Sequence, residues 1–212
     1  MPLRYLPPEQ QFRTWDQISL RVRPPRTDRR VESRKPETQS LVRIGHVRTA
    51  QARYDWIGDG VFDSLQEMAE AGRSIGPVRV DEITEVTFTP CEADWKPKQV
   101  AAMTTRGLFE QELNQQPLEK IPFEFRFQWK DSGGARHESL VISWEMAQTW
   151  RNFRDRYTDA NKTVRDKILN DTFGSGTQPM LFMGNHSRWR STFMVCGWFA
   201  PKASEVVDGS LF

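Results

Sequence analysis

Apolar and polar residues alternate across positions 121–130. Ile121, Phe123, Phe125, Phe127 and Trp129 take one parity, with Glu124, Arg126, Gln128 and Lys130 between them. Successive side chains of a strand point to opposite faces, so this pattern predicts a strand with one buried and one wetted face. Ser132-Gly133-Gly134 supplies a turn, and residues 137–143 return with Leu140 and Ile142 on the apolar side, completing a hairpin. A second hairpin is expected from residues 180–183 and 191–199. Its stretch 193–199 is apolar on both faces, which suits a central strand. Residues 41–47 and 83–89 read as further strands.

Elsewhere the period lengthens. Ser64-Leu65-Gln66-Glu67 has the spacing of a capping box, Gly72 is a natural helix stop, and Phe62, Leu65, Met68 and Ala69 share the face between them. Met146, Trp150, Phe153 and Tyr157 form the stripe of a helix over 144–157, and Val164, Ile168 and Leu169 that of one over 162–173. Residues 98–114 also read as helical, with an interruption at Gly107, and residues 54–60 as a turn-rich loop. Strands and helices follow one another without a βαβ rhythm. The expected fold class is α+β, a mainly antiparallel sheet with helices packed on it. Residues 1–40 read as a basic, Pro- and Arg-rich extended arm with Phe12, Trp15, Ile18 and Leu20 as anchors. Residues 41–201 then form one domain and 202–212 a tail, with no internal repeat.

Composition changes this picture in one respect. The net charge of +2 hides a segregation: +7 over residues 1–53, −7 over 54–120 and +2 over 121–212. Such asymmetry points to an interaction arm. Arg outnumbers Lys by 22 to 8. That suits bidentate contacts to phosphate or carboxylate, although a GC-rich genome produces the same bias. Cys91 and Cys196 are too few for a disulfide framework and are expected as reduced, mostly buried thiols. No apolar run approaches ~20 residues, and the first residues lack the apolar core of a signal peptide. A soluble cytoplasmic protein is therefore expected.

Two segments carry a resemblance: Ile121-Pro122-Phe123-Glu124-Phe125-Arg126-Phe127 and Leu140-Val141-Ile142-Ser143-Trp144-Glu145-Met146. With Phe182-Met183-Gly184-Asn185 and the stretch from Phe193 to Pro201, they resemble a family of small uncharacterised prokaryotic proteins. That family has an Ile-Pro-aromatic strand, a polar turn, a strand ending in Asp-Trp-Glu and an aromatic helix. Here Ser143 stands where the Asp would be. The resemblance covers roughly the C-terminal half and implies a shared fold and no activity.

Candidate chemistry is sparse. Arg21, Arg23, Arg26, Arg29, Arg30 and Arg34 could follow phosphates, each contact releasing counterions. They could equally dock on an acidic partner or remain solvated. In the tip of the second hairpin, His186, Arg188, Trp189 and Arg190 interleave basic groups with an aromatic ring. That mixture suits single-stranded nucleic acid or a protein hot spot, unless Trp189 simply packs back on the sheet. Asp81 followed by Asp94-Trp95-Lys96 resembles a metal-dependent nuclease pattern, two carboxylates for Mg²⁺ and a Lys for developing charge. Pro90 and Pro97, however, put that triplet in a loop. His46, His137, His186 and the cysteines lack zinc-ligand spacing. Gly58-Asp59-Gly60 lacks the later Gly of a dinucleotide site, and Glu145 is explained by first-turn dipole preference. No metal or other cofactor is expected. The reading is a non-catalytic accessory subunit that engages nucleic acid or a nucleoprotein complex. The alternatives are a protein-only interaction subunit and a Mg²⁺-dependent nuclease.

Overall fold

The computed structural model describes residues 6, 10–104 and 119–207. Near the N-terminus, Asp16–Ser19 (β1), Val22–Arg23 (β2), Lys35–Pro36 (β3) and Val42–His46 (β4) nest as two antiparallel pairs, β2 against β3 and β1 against β4. The segment expected as an arm thus shares strand pairing with residues beyond position 41. Asp16 organises it, accepting from the Arg13 backbone N–H at 2.9 Å and bonding His46 Nδ1 at 2.7 Å. Trp15 sits at φ 71°, a left-handed conformation that is rare for a bulky side chain. Edge-on packing against Phe199 at 5.1 Å and the Arg53 guanidinium 5.2 Å above its ring hold it there.

Ala50–Ile57 (α1) is a helix capped by Thr49, whose hydroxyl accepts from the Ala52 N–H. Residues 54–57, expected as loop, are its last turn. The stripe that would have revealed it is missing, because Tyr54 is its one buried residue. Leu65–Glu70 (α2) starts at Ser64, whose hydroxyl accepts from Glu67 N–H at 3.0 Å, and stops at Gly72 in the left-handed region, φ 68°. Met68 is fully buried, but Ala69, expected beside it, is exposed.

Ile75–Pro90 (β5) is sixteen residues long, more than twice the expected strand. Its first part contains Gly76-Pro77, which are poor strand residues. Neighbours on both ends hold it in place. Residues 75–79 pair with Met180–Gly184, and residues 80–90 with Phe123–Asp131. Two register shifts, between Val80 and Glu82 and between Ile83 and Glu85, let the strand turn from one partner to the other. Pro97–Thr104 (α3) opens the helix expected over 98–114, whose positions 105–114 lie outside the described residues.

Phe123–Asp131 (β6) and Arg136–Val141 (β7) form the predicted hairpin. Trp144–Arg154 (α4) follows, three residues shorter than the expected stripe. Ala160–Asp166 (α5) continues into a π-helical turn, Lys167–Thr172. Met180–Asn185 (β8) and Phe193–Phe199 (β9) form the last hairpin. The sheet closes into a five-stranded barrel in the order β5-β6-β7-β9-β8, with β8 returning to β5. Every pair is antiparallel except β7 with β9, which meet in parallel at Val141 and Val195. The fold is α+β, as expected, and β9 has neighbours on both sides.

The core lies inside this barrel. Phe125, Phe127 and Trp129 of β6 point inward with Val78, Val86, Leu181, Met183 and Val195. Met146 and Trp150 of α4 and Val164 and Ile168 beyond them close it. Phe127 meets Phe173 and Trp198 at 5.8 and 5.9 Å. At the hairpin turn Asp131, fully buried, accepts from Leu65 N–H, Ala135 N–H and His137 Nε2 at 3.2, 2.8 and 2.7 Å. It ties α2 to the β6–β7 turn. Burial alone would push this carboxyl up, but those three bonds and the nearby imidazole outweigh it and hold it below the usual carboxylate range. Among the described residues, no helix is long and apolar enough to cross a membrane.

Candidate functional site

The tip between β8 and β9 is braced from within. Thr192 N–H donates to the Trp189 carbonyl at 3.1 Å, and Asn185 Nδ2 to the Arg190 carbonyl at 2.9 Å. His186 Nδ1 accepts from the Arg188 N–H at 3.1 Å, and its ring lies 4.8 Å from that of Trp189. The Arg188 guanidinium sits 5.6 Å from the other ring of this group, Trp189. Trp189 is 59% exposed, so it does not pack back onto the sheet.

The N-terminal segment 27–33 lies against this tip. Arg30 Nη1 donates to the Asn185 carbonyl at 2.7 Å, while its Nε and Nη2 grip Asp28 at 2.6–3.1 Å. Those charge-assisted bonds from Arg30 hold the Asp28 carboxyl far below the usual range. Two residues on, the Glu32 carboxylate accepts from both the backbone N–H and the hydroxyl of buried Ser74, at the start of β5. Burial raises Glu32, but the Ser74 bonds and Arg73 prevail and lower it overall.

A depression of about 370 Å³ results, lined by Thr27, Asp28, Arg29, Ser187, Arg188 and Arg190. Arg29, Arg188 and Arg190 have no ion-pair partner among the described residues, and Arg30 already neutralises Asp28. Three arginines without an ion pair among the described residues therefore surround one concavity, and the guanidinium of one, Arg188, lies over the exposed indole of Trp189. A larger pocket of about 450 Å³ shares Ser187 with it.

The other arm arginines do not converge there. Arg21 and Arg23 pair with Glu37 at 3.3 and 2.8 Å. Arg34 Nη1 donates to the Val31 and Ser33 carbonyls, each at 2.7 Å. Arg26 is exposed. Asp81 is paired with Lys130 at 2.6 Å. Asp94 and Lys96 lie past the far end of β5, where Lys96 pairs with Glu92 at 3.6 Å. The stretch of β5 from Asp81 to Pro90 spans about 30 Å at the usual strand rise, so Asp81 and Asp94 do not share one ion. Among the described residues, no three His, Cys, Asp or Glu gather to hold a metal. Both cysteines are free, and each is half-buried. Burial pushes the Cys196 thiol up, against the pull of Arg30.

Sequence reasoning missed Asn185, Glu32 and Ser74, the groups that join the two segments. Asn185, next to the tip, was the only one with a local signal.

Residues 58–212 match the model of a domain of unknown function, DUF8757. The chain belongs to this family. Residues 1–59 match a second domain of unknown function, DUF8758. No curated protein and no solved structure matches the chain. The DUF8757 match covers the whole barrel and the 186–190 tip, whereas Arg29 and Arg30 fall within the DUF8758 match. The seam between them lies at Gly58, which ends α1. The candidate site is thus built from both.

Proposed function

We propose that this protein is a non-catalytic binding subunit that holds single-stranded nucleic acid, free or within a nucleoprotein complex, on the depression formed by Arg29, Arg188 and Arg190. The observation that carries the reading is the convergence of these three arginines, none of them ion-paired among the described residues, with exposed Trp189 under the Arg188 guanidinium, from segments more than 150 residues apart in sequence. Guanidinium groups neutralise phosphates and displace counterions, and an exposed indole offers a stacking face to any base. Arg30 serves as the clasp that brings Arg29 to the tip. Trp189→Ala should weaken binding of short single strands roughly tenfold while duplex binding changes little. Equal losses on both would remove Trp189 from the reading. The proposed compartment is the cytoplasm.

A protein-only interaction subunit is the second reading. It is favoured by Val42 and Ile44, 57% and 66% exposed on one face of β4. Such a face suits a protein partner more than a phosphate backbone.

A further inference from the structure

We propose that the larger pocket beside the basic depression receives one unstacked base of the bound strand and favours bases that carry an exocyclic amino group. The inference rests on the nucleic-acid reading above. The two concavities share Ser187, and the N-terminal segment walls both, through Thr27 to Arg29 on one side and Arg30 to Ser33 on the other. A strand whose phosphates lie on Arg29, Arg188 and Arg190 therefore passes directly beside the pocket. At about 450 Å³ the pocket is within the range of small-ligand sites, ~300–1,000 Å³.

Its lining fits a base. Ile75 and Ile142, 51% and 53% exposed, stand with Met194 as apolar walls. Large apolar side chains left this open to solvent gain by covering a flat ring, and flipped bases are commonly gripped between apolar surfaces. His186 and three serines line it as well, and two polar side chains, Glu32 and Asn185, present acceptors. Glu32 lines the pocket, its carboxylate already accepting from Ser74. Asn185 lines it too, 7% exposed, and its Oδ1 has no hydrogen-bond partner while its Nδ2 is spent on Arg190. A buried acceptor without a donor is rare in a folded protein, and a ligand that brings an N–H satisfies it. Arg30, the strongest donor on the wall, is already committed to Asp28 and to the Asn185 carbonyl. At Asn185 the pocket thus asks for a donor. Cytosine, adenine and guanine each present an amino group on the edge that pairs in a duplex. Thymine and uracil present two carbonyl oxygens around a single N–H, and those oxygens would face the acceptors.

The test is fluorescence anisotropy of the full chain with three labelled strands of equal length: oligo(dC), oligo(dT) and an abasic backbone. Cytosine and thymine share ring and charge but differ in the amino-for-carbonyl exchange and in the thymine methyl, so the pocket variant assigns the difference. Oligo(dC) should bind about fivefold or more tightly than oligo(dT), and the double variant Ile75→Ser, Ile142→Ser should collapse that difference. Equal binding of all three strands overturns the base subsite and leaves the basic depression standing. Binding of none overturns both, and makes a protein side chain the occupant to seek. An oligo(dC) preference that survives the double variant places base selection elsewhere and overturns the assignment to this pocket.

Discussion

Replacing Arg30 with Ala cuts the link between the N-terminal segment and the β8–β9 tip. The lost contact is a guanidinium-to-carbonyl bond of 2.7 Å to Asn185, partly buried. Hydrogen bonds to charged groups contribute about 1.5–3 kcal/mol. Taking ~2 kcal/mol, the equilibrium for lifting segment 27–33 off the tip shifts roughly 30-fold toward the open form, since about 1.4 kcal/mol is a factor of ten. The Glu32–Ser74 contact still holds the other end, so the barrel itself stays folded. Tryptic cleavage after Arg29 reads this opening directly, provided opening is fast relative to cleavage. The rate is normalised to the urea-unfolded variant, because the substitution alters the residue after the scissile bond. A rise of about 30-fold is expected, with Arg26→Ala, whose side chain is exposed, leaving the rate at Arg29 unchanged. A rise below about threefold, well short of the lost bond's worth, would refute the clasp and assign the docking to Glu32 alone.

Other consequences follow from the barrel. Phe127→Ala removes a fully buried ring packed on Phe173 and Trp198, and should cost about 3–5 kcal/mol in urea unfolding. Ser143→Ala removes the cap of α4, whose hydroxyl accepts from Met146 N–H at 3.2 Å, and should cost about 1 kcal/mol, whereas Ser143→Asp should retain most of the stability. Asp131, lowered in the folded state, contributes stability that is full above its unfolded pKa, about 4, and is lost as pH falls through the lower folded value. The Tm gap between the wild type and Asp131→Asn should therefore be constant near neutrality and narrow below about pH 4. A gap independent of pH would remove the carboxylate's ionisation as its cause.

The parts legible in sequence were those whose signal is local. β6 alternated because its inner face is core and its outer face is water. The capping of α2 by Ser64 was written within four residues. By contrast, the first part of β5 has a Gly-Pro pair in place of β-branched residues, and only its pairing with β8 makes it a strand. α1 has a single buried side chain and so no stripe. The same holds at the site. The basic-aromatic tip could be found as a turn between two apolar strands, but nothing local distinguishes Arg30 from Arg26. Arg30 is a structural clasp because the Asn185 carbonyl lies opposite it, 155 residues away. The Asp81 and Asp94 pairing failed for a related reason, since spacing in sequence becomes distance once the stretch between is strand. Ser143 in place of an Asp loses nothing at the helix start, because either residue caps a helix.

The most direct test of the central claim is the salt dependence of single-strand binding for the wild type and for the triple variant Arg29→Ala, Arg188→Ala, Arg190→Ala. Anisotropy of one labelled oligonucleotide across a salt series gives the slope of log affinity against log salt. Each phosphate contact contributes about 0.7 to that slope on a single strand. Loss of three contacts should flatten the wild-type slope by about 2 and weaken binding at low salt. Parallel lines for the two proteins, or no binding by the wild type at low salt, would contradict the assignment of this depression to nucleic acid.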